Sequence, residues 1–212
     1  MTIDIQKALQ DTQGKSPLEI IEYAIERAAG KAMVSTNFRP HEAVILHHLV
    51  QVQPDIPVLW IDHGYNTRFT YAAAEKMIQD MNLNIFVETP RISVARQDGV
   101  LGGIPTLDDP AAHDAFTEAF KLEPFRRGLE ALNPTVWFTA LRRDQTAFRS
   151  GMDAWSKDNS IVKVCPFLEW DEAQMEDYVI KNNLPNETRY FDPTKVLGNR
   201  ECGLHPGGLS KD

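Results

Sequence analysis

Residues 31–52 read KAMVSTNFRPHEAVILHHLVQV, and the parsing of this stretch decides the fold. Ala32, Met33 and Val34 form an apolar run that ends in two hydroxyls, Ser35 and Thr36. A short polar turn, NFRPH (37–41), interrupts it. EAVILHHLVQV (42–52) is then apolar enough, and long enough, for a buried helix. A strand that passes through a tight loop into a helix is the first half of a βαβ unit. The same grammar continues on the C-terminal side. IPVLWID (56–62), LNIFVE (83–88), TVWFTAL (135–141) and SIVKVCPF (160–167) read as strands. TYAAAEKMIQDMN (70–82), DAFTEAFKLEPFRRGLEALN (114–133) and DEAQMEDYVIKNN (171–183) read as helices, the second of them broken near Pro124. On the N-terminal side, Ser16 caps a first helix, Pro17 fits its first turn and Gly30 closes it. Residues 89–110, rich in glycine and proline, read as a loop. The strands are apolar along their length, as expected when both faces are covered. The expected fold class is therefore α/β, a doubly wound, mostly parallel sheet. Ligands in such sheets bind beyond the carboxyl ends of the strands.

A chain of 212 residues can bury a core of this kind as one domain. The expected division is a single α/β nucleotide-binding domain over 1–198 and a flexible C-terminal catalytic tail over 199–212. The net charge of -8 argues against a nucleic-acid or membrane-surface partner, while leaving room for a local basic pocket. No apolar run is long enough to span a bilayer, and MTIDIQKALQDTQGK is not a signal peptide, so the expected location is cytoplasmic. Two cysteines, Cys165 and Cys202, are too few for a disulfide framework or a four-cysteine metal site, and no metal is expected.

Three segments lie at the expected ligand edge. In the first, the Ser35 and Thr36 hydroxyls and the N-terminus of the next helix form an anion site in the general sense. The same residues also suit an ordinary capped loop. In the second, Asp62 ends an apolar strand and Gly64 follows. Such an acid binds a ribose hydroxyl or an adenine amino group, or caps the next helix. In the third, LRRDQTAFR (141–149) brings Arg142, Arg143 and Arg149 together in an acidic chain. Guanidinium forks suit phosphate and sulfate oxygens. Against that stands a solvated basic face. His47 and His48 read as one packed and one partly exposed histidine. Cys165, in an apolar strand, reads as an inert core thiol. Cys202 lies in NRECGLHPGGLSKD (199–212), outside any periodic segment. Arg200 and His205 favour its thiolate, and Glu201 opposes it. It reads as a nucleophile, a redox thiol or an accident of the tail.

Taken in order, these stretches resemble the phosphoadenylyl sulfate (PAPS) reductase family, of the thioredoxin-dependent, cluster-free type. RECGLH (200–205) resembles its terminal catalytic motif. STNF with the following AV and LH resembles its modified phosphate loop, and PDIPVLWIDHGY (54–65) its second strand and turn. KLEPFRRGLEAL (121–132), WFTALRRDQTAFR (137–149), KVCPFLEW (163–170) and NNLP (182–185) continue the likeness. It covers roughly residues 16–185 and the tail. The resemblance implies an adenine nucleotide alpha hydrolase-like (PP-loop-like) fold. It implies reduction of PAPS to sulfite and adenosine 3',5'-bisphosphate through an S-sulfonate on Cys202. Thioredoxin or glutaredoxin would be the reductant, with no bound cofactor and no iron-sulfur cluster. Ser35, Thr36, Asn37 and Phe38 would line the phosphate loop, and Asp62 and Gly64 the nucleotide edge. Lys121, Arg142, Arg143, Gln145, Arg149, Arg200 and His205 would complete the substrate-binding set. Relatives are often dimers, which leaves a homodimer open.

Three departures from the family pattern stand out. Arg39 and Pro40 follow Phe38 where relatives have glycine, which either adds a cation or blocks close backbone approach. Ala140 stands where the arginine segment of relatives begins with glycine. The connection NETRYFDPTKVLGN (186–199) is shorter than in relatives, so the site is expected to be more open and the shortening bears on whether Cys202 is active. The alternatives are a divergent adenine-nucleotide enzyme of the same fold, acting by adenylyl transfer or on an altered sulfonucleotide such as adenylyl sulfate, and a non-catalytic nucleotide-binding protein.

Overall fold

The structure is a computed structural model and describes residues 3–106 and 108–195. Cys202, Arg200, His205 and the tail expected over 199–212 lie outside the described residues.

A six-stranded sheet forms the centre. Its strands are β1 (Ala32–Thr36), β2 (Pro57–Ile61), β3 (Asn84–Glu88), β4 (Val136–Phe138), β5 (Trp155–Asp158) and β6 (Ile161–Val164), in the spatial order β3-β2-β1-β4-β6-β5. Every pairing is parallel except β5 with β6. The period-two alternation of strand side chains sorts the sheet into two faces. Val34, Val58, Val136, Phe138, Val162 and Val164 point into the larger core. That core also holds Ile21 and Ala24 of α2 (Pro17–Arg27), Val44 and Leu49 of α3 (Glu42–Val52), Met77 of α4 (Arg68–Asp80) and Met175 of α8 (Glu172–Lys181). Met33, Leu59, Ile61 and Trp137 point the other way, onto Phe125 and Leu129 of α7 (Glu123–Leu132). Both faces of β1, β2, β4 and β6 are covered, which is why these strands read as continuous apolar runs, whereas the edge strand β3 leaves Phe86 and Val87 exposed. Helix α7 comes so close to β2 that a Cβ at Gly128 would stand 2.6 Å from Leu59.

The chain leaves β1, adds β2 and β3 on one side, then crosses to β4 on the other. The topological switch point is therefore between β1 and β4. Their carboxyl ends, Ser35 and Thr36 on one and Thr139 and Ala140 on the other, diverge there and open a crevice.

Four local features differ from the sequence reading. A helix α1 (Ile5–Thr12) precedes the first expected one, capped by Asp4. Trp155 donates to the Thr12 hydroxyl at 2.9 Å and ties α1 to β5. Residues 89–110 are not all loop: Ser93 caps α5 (Val94–Val100). Strand β5, sequence WSKD, is a strand through its antiparallel partner rather than its composition. Finally, Pro124 does not break its helix. From α6 (Pro110–Thr117) the chain passes through a π-helical turn, Glu118–Leu122, into α7. The Glu123 N–H reaches back to the Glu118 carbonyl, and this wider turn makes room for the Pro124 ring. Where the reading held, caps explain it. Ser16 and Glu19 form a reciprocal capping box at the start of α2. Among the described residues, no helix is long and apolar enough to cross a membrane.

Candidate active site

A cavity of about 200 Å³ occupies the switch point. Its floor is Ser35, Thr36, Thr139 and Ala140, from the ends of β1 and β4. The loop after β1 forms one wall. Phe38 and His41 both adopt left-handed backbone, at φ 52° and 67°, which folds residues 36–42 into a tight cradle. The Thr36 hydroxyl accepts the Phe38 N–H at 3.0 Å and donates to Glu42 Oε2 at 2.6 Å. The Asn37 N–H joins the same oxygen at 2.7 Å, and Arg39 Nε donates to Oε1 at 2.9 Å. Arg39 also leans on the Ala140 carbonyl, at 3.4 Å, across the crevice. The unusual pair Arg39-Pro40 thus adds a cation to the wall, and that cation is already paired. The loop is held from behind. His41 N–H donates to Asn186 at 2.9 Å, and the His41 ring meets Glu176 of α8 at 2.9 Å. Phe38 does not line the cavity; it is buried in the core, edge-on to Trp60 with ring centres 5.0 Å apart.

The segment after β4 behaves differently. Arg149 is 3% exposed, lines the cavity and is bonded to the Gln145 side chain. Arg142 folds back on Asp144, at 3.0 and 3.3 Å. Arg143 turns to the opposite side, where it pairs with Glu169 at 2.8 Å and the Ser150 carbonyl at 2.9 Å. There it borders a separate surface cleft against α1. Of the three arginines, one reaches the cavity.

Asp62 and Gly64 lie outside the cavity wall. Asp62 Oδ1 accepts from Gly64 N–H at 3.0 Å, Asn66 at 3.1 Å and the Tyr71 hydroxyl at 2.7 Å. Burial, and then the bond to Asp62, push the Tyr71 hydroxyl up to about 12. Gly64 has φ 77°, and a Cβ there would stand 2.7 Å from Val94, so the glycine admits the close approach of α5.

Lys121 sits on the π-helical turn and is 1% exposed. Its ammonium bonds the Asp192 carboxylate and, at 3.3 Å, the Thr194 hydroxyl. Burial alone would raise the Asp192 carboxyl. The adjoining Lys121 charge and the Lys121 and Thr194 bonds outweigh it and hold the group well below the usual carboxylate range. Asp192 lines the cavity, whereas Lys121, expected among the substrate-binding residues, does not and stands behind Asp192 as its buried counter-ion. His63 lies close by, accepting the Tyr65 N–H at Nδ1 at 3.1 Å, which puts its proton on Nε2. Burial pushes it down to about 4, with Asp192 partly offsetting the effect, and it is held neutral. Cys165 is buried against Thr139 at 3.2 Å, and burial raises its thiol. His48 is packed against Tyr178 with ring centres 4.4 Å apart, and His47 is half-buried beside the same residue. Among the described residues, no group of His, Cys, Asp or Glu side chains is arranged to hold a metal ion.

Sequence reasoning missed Glu42, Asp192, Tyr190 and Lys195, all of which border the cavity. Glu42 carried a signal, an acid in the first turn of a helix beside a hydroxyl loop. The other three follow α8 in a non-periodic stretch. They arrive because Thr67 donates to the Arg189 carbonyl at 3.1 Å and Arg189 stacks on Phe69 at 3.5 Å, pinning the stretch across the front of α4.

The chain matches the family model of the phosphoadenosine phosphosulfate reductase domain over residues 31–204. The phosphoadenosine 5'-phosphosulfate reductase of a Synechococcus species is 33% identical over 167 residues, 79% of this chain and 72% of that protein. The reductase of Citrobacter koseri is 30% identical over 93% of this chain and 88% of its own length. Among solved structures, the phosphate complex of phosphoadenylyl-sulfate reductase from Candida auris superposes with a TM-score of 0.74 at 19% identity, over 88% of this chain and 91% of that one. FMN adenylyltransferase from Candida glabrata gives 0.58 at 14% identity, over 84% and 56%. These two likenesses establish the fold. The family match begins at the first strand and runs past the last described residue, through RECGL (200–204), and two relatives agree with it over most of their length. The chain belongs to the phosphoadenosine phosphosulfate reductase domain family.

Proposed function

We propose that this chain reduces phosphoadenylyl sulfate to sulfite and adenosine 3',5'-bisphosphate, with a reduced thioredoxin or glutaredoxin supplying the two electrons. The observation that carries this reading is the family match, which takes in Cys202. The cavity at the β1/β4 switch point supports it, because Ser35, Thr36 and Asn37 of the loop after β1 and the buried Arg149 border one crevice there. The phosphate loop and Arg149 hold the anionic groups of the nucleotide. The Cys202 thiolate attacks the sulfonate sulfur. The S–O bond to the nucleotide breaks, adenosine 3',5'-bisphosphate leaves with the bridging oxygen, and an S-sulfonate remains on Cys202. A thiolate of the reductant then attacks Cys202 Sγ, and sulfite leaves with the electron pair of the S–S bond. The second thiol of the reductant resolves the mixed disulfide and returns Cys202 as a thiol. Arg149 stabilises negative charge as it gathers on the leaving nucleotide. Arg200 and His205, next to the thiol in sequence, favour the thiolate.

On this reading residues 1–198 form the nucleotide-binding domain and 199–212 the segment that serves two partners in turn. The chain's two cysteines cannot build a four-cysteine cluster, and the reaction as written uses none. A reducing cytoplasm suits a catalytic thiol and a thioredoxin partner. The test is sulfite release from phosphoadenylyl sulfate with reduced thioredoxin. The expected result is turnover by the wild type and none by Cys202→Ser. A chain that binds the nucleotide but releases no sulfite with this substrate or with adenylyl sulfate would end the proposal.

A further inference from the structure

The loop after β1 already holds an anion, and that anion belongs to the chain. The Glu42 carboxylate collects the Thr36 hydroxyl, the Asn37 N–H and the Arg39 guanidinium at 2.6, 2.7 and 2.9 Å. These are the donors a phosphate oxygen would use there. The charge sits in the first turn of α3, where a helix N-terminus favours it. The side chain is only 8% exposed, yet it borders the cavity. Arg39 is its counter-ion, so the loop is electrically and sterically satisfied with no ligand at all. This distinguishes the loop from an open phosphate cradle, whose N–H groups wait for solvent or substrate.

We propose that Glu42 is an internal competitor for the anion site of this loop. A substrate phosphate enters only by taking these donors from Glu42, which swings toward the open side of the cavity. The inference rests on the reading of the cavity as the nucleotide's anion site. It makes Glu42 a residue that sets affinity and selects charge. A monoanion would replace one carboxylate charge with another and gain nothing against Arg39. A group with two charges, inorganic phosphate or the phosphosulfate end of the nucleotide with one charge on phosphate and one on sulfonate, brings an extra charge toward Arg39 and the buried Arg149, and so outcompetes the carboxylate. Hence the loop rejects weakly charged ligands without any steric filter.

The experiment is isothermal titration of the full chain with inorganic phosphate and with adenosine 3',5'-bisphosphate, for wild type, Glu42→Gln and Glu42→Asp. Glu42→Gln keeps the side-chain length and removes the charge. Glu42→Asp keeps the charge and withdraws it by one methylene from the Asn37 N–H. Losing a charge-assisted competitor should tighten phosphate binding on the order of tenfold in Glu42→Gln. Glu42→Asp should tighten it by less. A purely structural role for Glu42 predicts the opposite sign, because a slackened loop binds more weakly. Equal or weaker binding by a variant that melts as cooperatively as wild type overturns the inference. If Glu42→Gln does not fold, Glu42→Asp carries the test alone. Wild-type sulfite release, measured alongside, separates this inference from the proposed reaction. Tightening without sulfite sinks the reaction and leaves the competitor standing. Sulfite without tightening does the reverse.

Discussion

The loop after β1 and the segment after β4 face each other across one crevice, and they treat their charges in opposite ways. Residues 36–42 draw a hydroxyl, an N–H and a guanidinium onto one carboxylate. Residues 142–149 send three arginines to three places: Asp144, Glu169 and the cavity. The difference is geometric. The first segment is a tight loop with two left-handed residues, which turns successive groups toward one point. The second contains two short 3-10 turns, Arg143–Gln145 and Arg149–Gly151, which fan neighbouring side chains apart. A cluster in sequence became a cluster in space only where the backbone curled around it. The converse also holds, since Lys121 and Asp192, 71 residues apart in sequence, meet as a buried pair beside the cavity.

This contrast predicts a graded series of effects. The largest belongs to the buried pair that seals the wall. Lys121→Ala leaves the Asp192 carboxylate buried without its ammonium, and should cost about 3–5 kcal/mol of stability in a urea titration. The double variant Lys121→Met/Asp192→Leu should recover most of that loss. Equal losses in both would mean the wall depends on shape, not on charge pairing.

His63 comes next. Its folded pKa of about 4 lies below the ordinary value of 6.5, so the unfolded chain takes up the proton first. Stability from this group is complete above about 6.5 and is lost as pH falls toward about 4, by up to roughly 3 kcal/mol. Asp192 is also depressed, but its contribution fades only at lower pH, below the ordinary carboxylate range. His47 and His48, lowered by burial, act in the same sense as His63, so the readout is a difference. His63→Asn, which keeps an acceptor for the Tyr65 N–H, should flatten the stability profile across this window relative to wild type. An unchanged slope would contradict the placement of a neutral imidazole beside the Lys121–Asp192 pair.

The two arginines then test the contrast directly. Arg149→Ala should lower kcat/KM about 100-fold, as expected when one charged donor to a developing anion is removed. Arg143→Ala, on the far side, should change kcat/KM by less than about twofold and stability by less than about 1 kcal/mol, the usual scale of an exposed pair. Comparable losses in the two variants would break the distinction between a gathered and a dispersed segment.

Much of the scaffold was legible because its signals are local. Apolar runs marked β1, β2, β3, β4 and β6, and Ser16 with Pro17 marked the start of α2. What escaped depends on contacts that sequence spacing does not carry. WSKD is a strand only because β6 lies beside it. Pro124 looked like a break, but a wider helical turn accommodates it. At the site, Ser35 and Thr36 were recognisable as hydroxyls at a strand end. Glu42 was present in the same stretch but went unread, because nothing in the sequence says which anion its neighbours will choose. Arg142, Arg143 and Arg149 read alike, and only the backbone between them separates their roles. Asp192 had no local signal; its place follows from the anchoring of Arg189 on α4.

The central claim joins the cavity to Cys202, and a single-turnover mass measurement tests it most directly. Reduced full-length chain is mixed with phosphoadenylyl sulfate, quenched and weighed intact. The account predicts that wild type gains one SO3 group, that Arg149→Ala gains it far more slowly, and that Cys202→Ser gains none. Adding reduced thioredoxin should return the wild-type mass and release sulfite in equal amount. A wild-type chain that binds the nucleotide yet never gains the group, or a Cys202→Ser chain that gains it equally, would contradict the account.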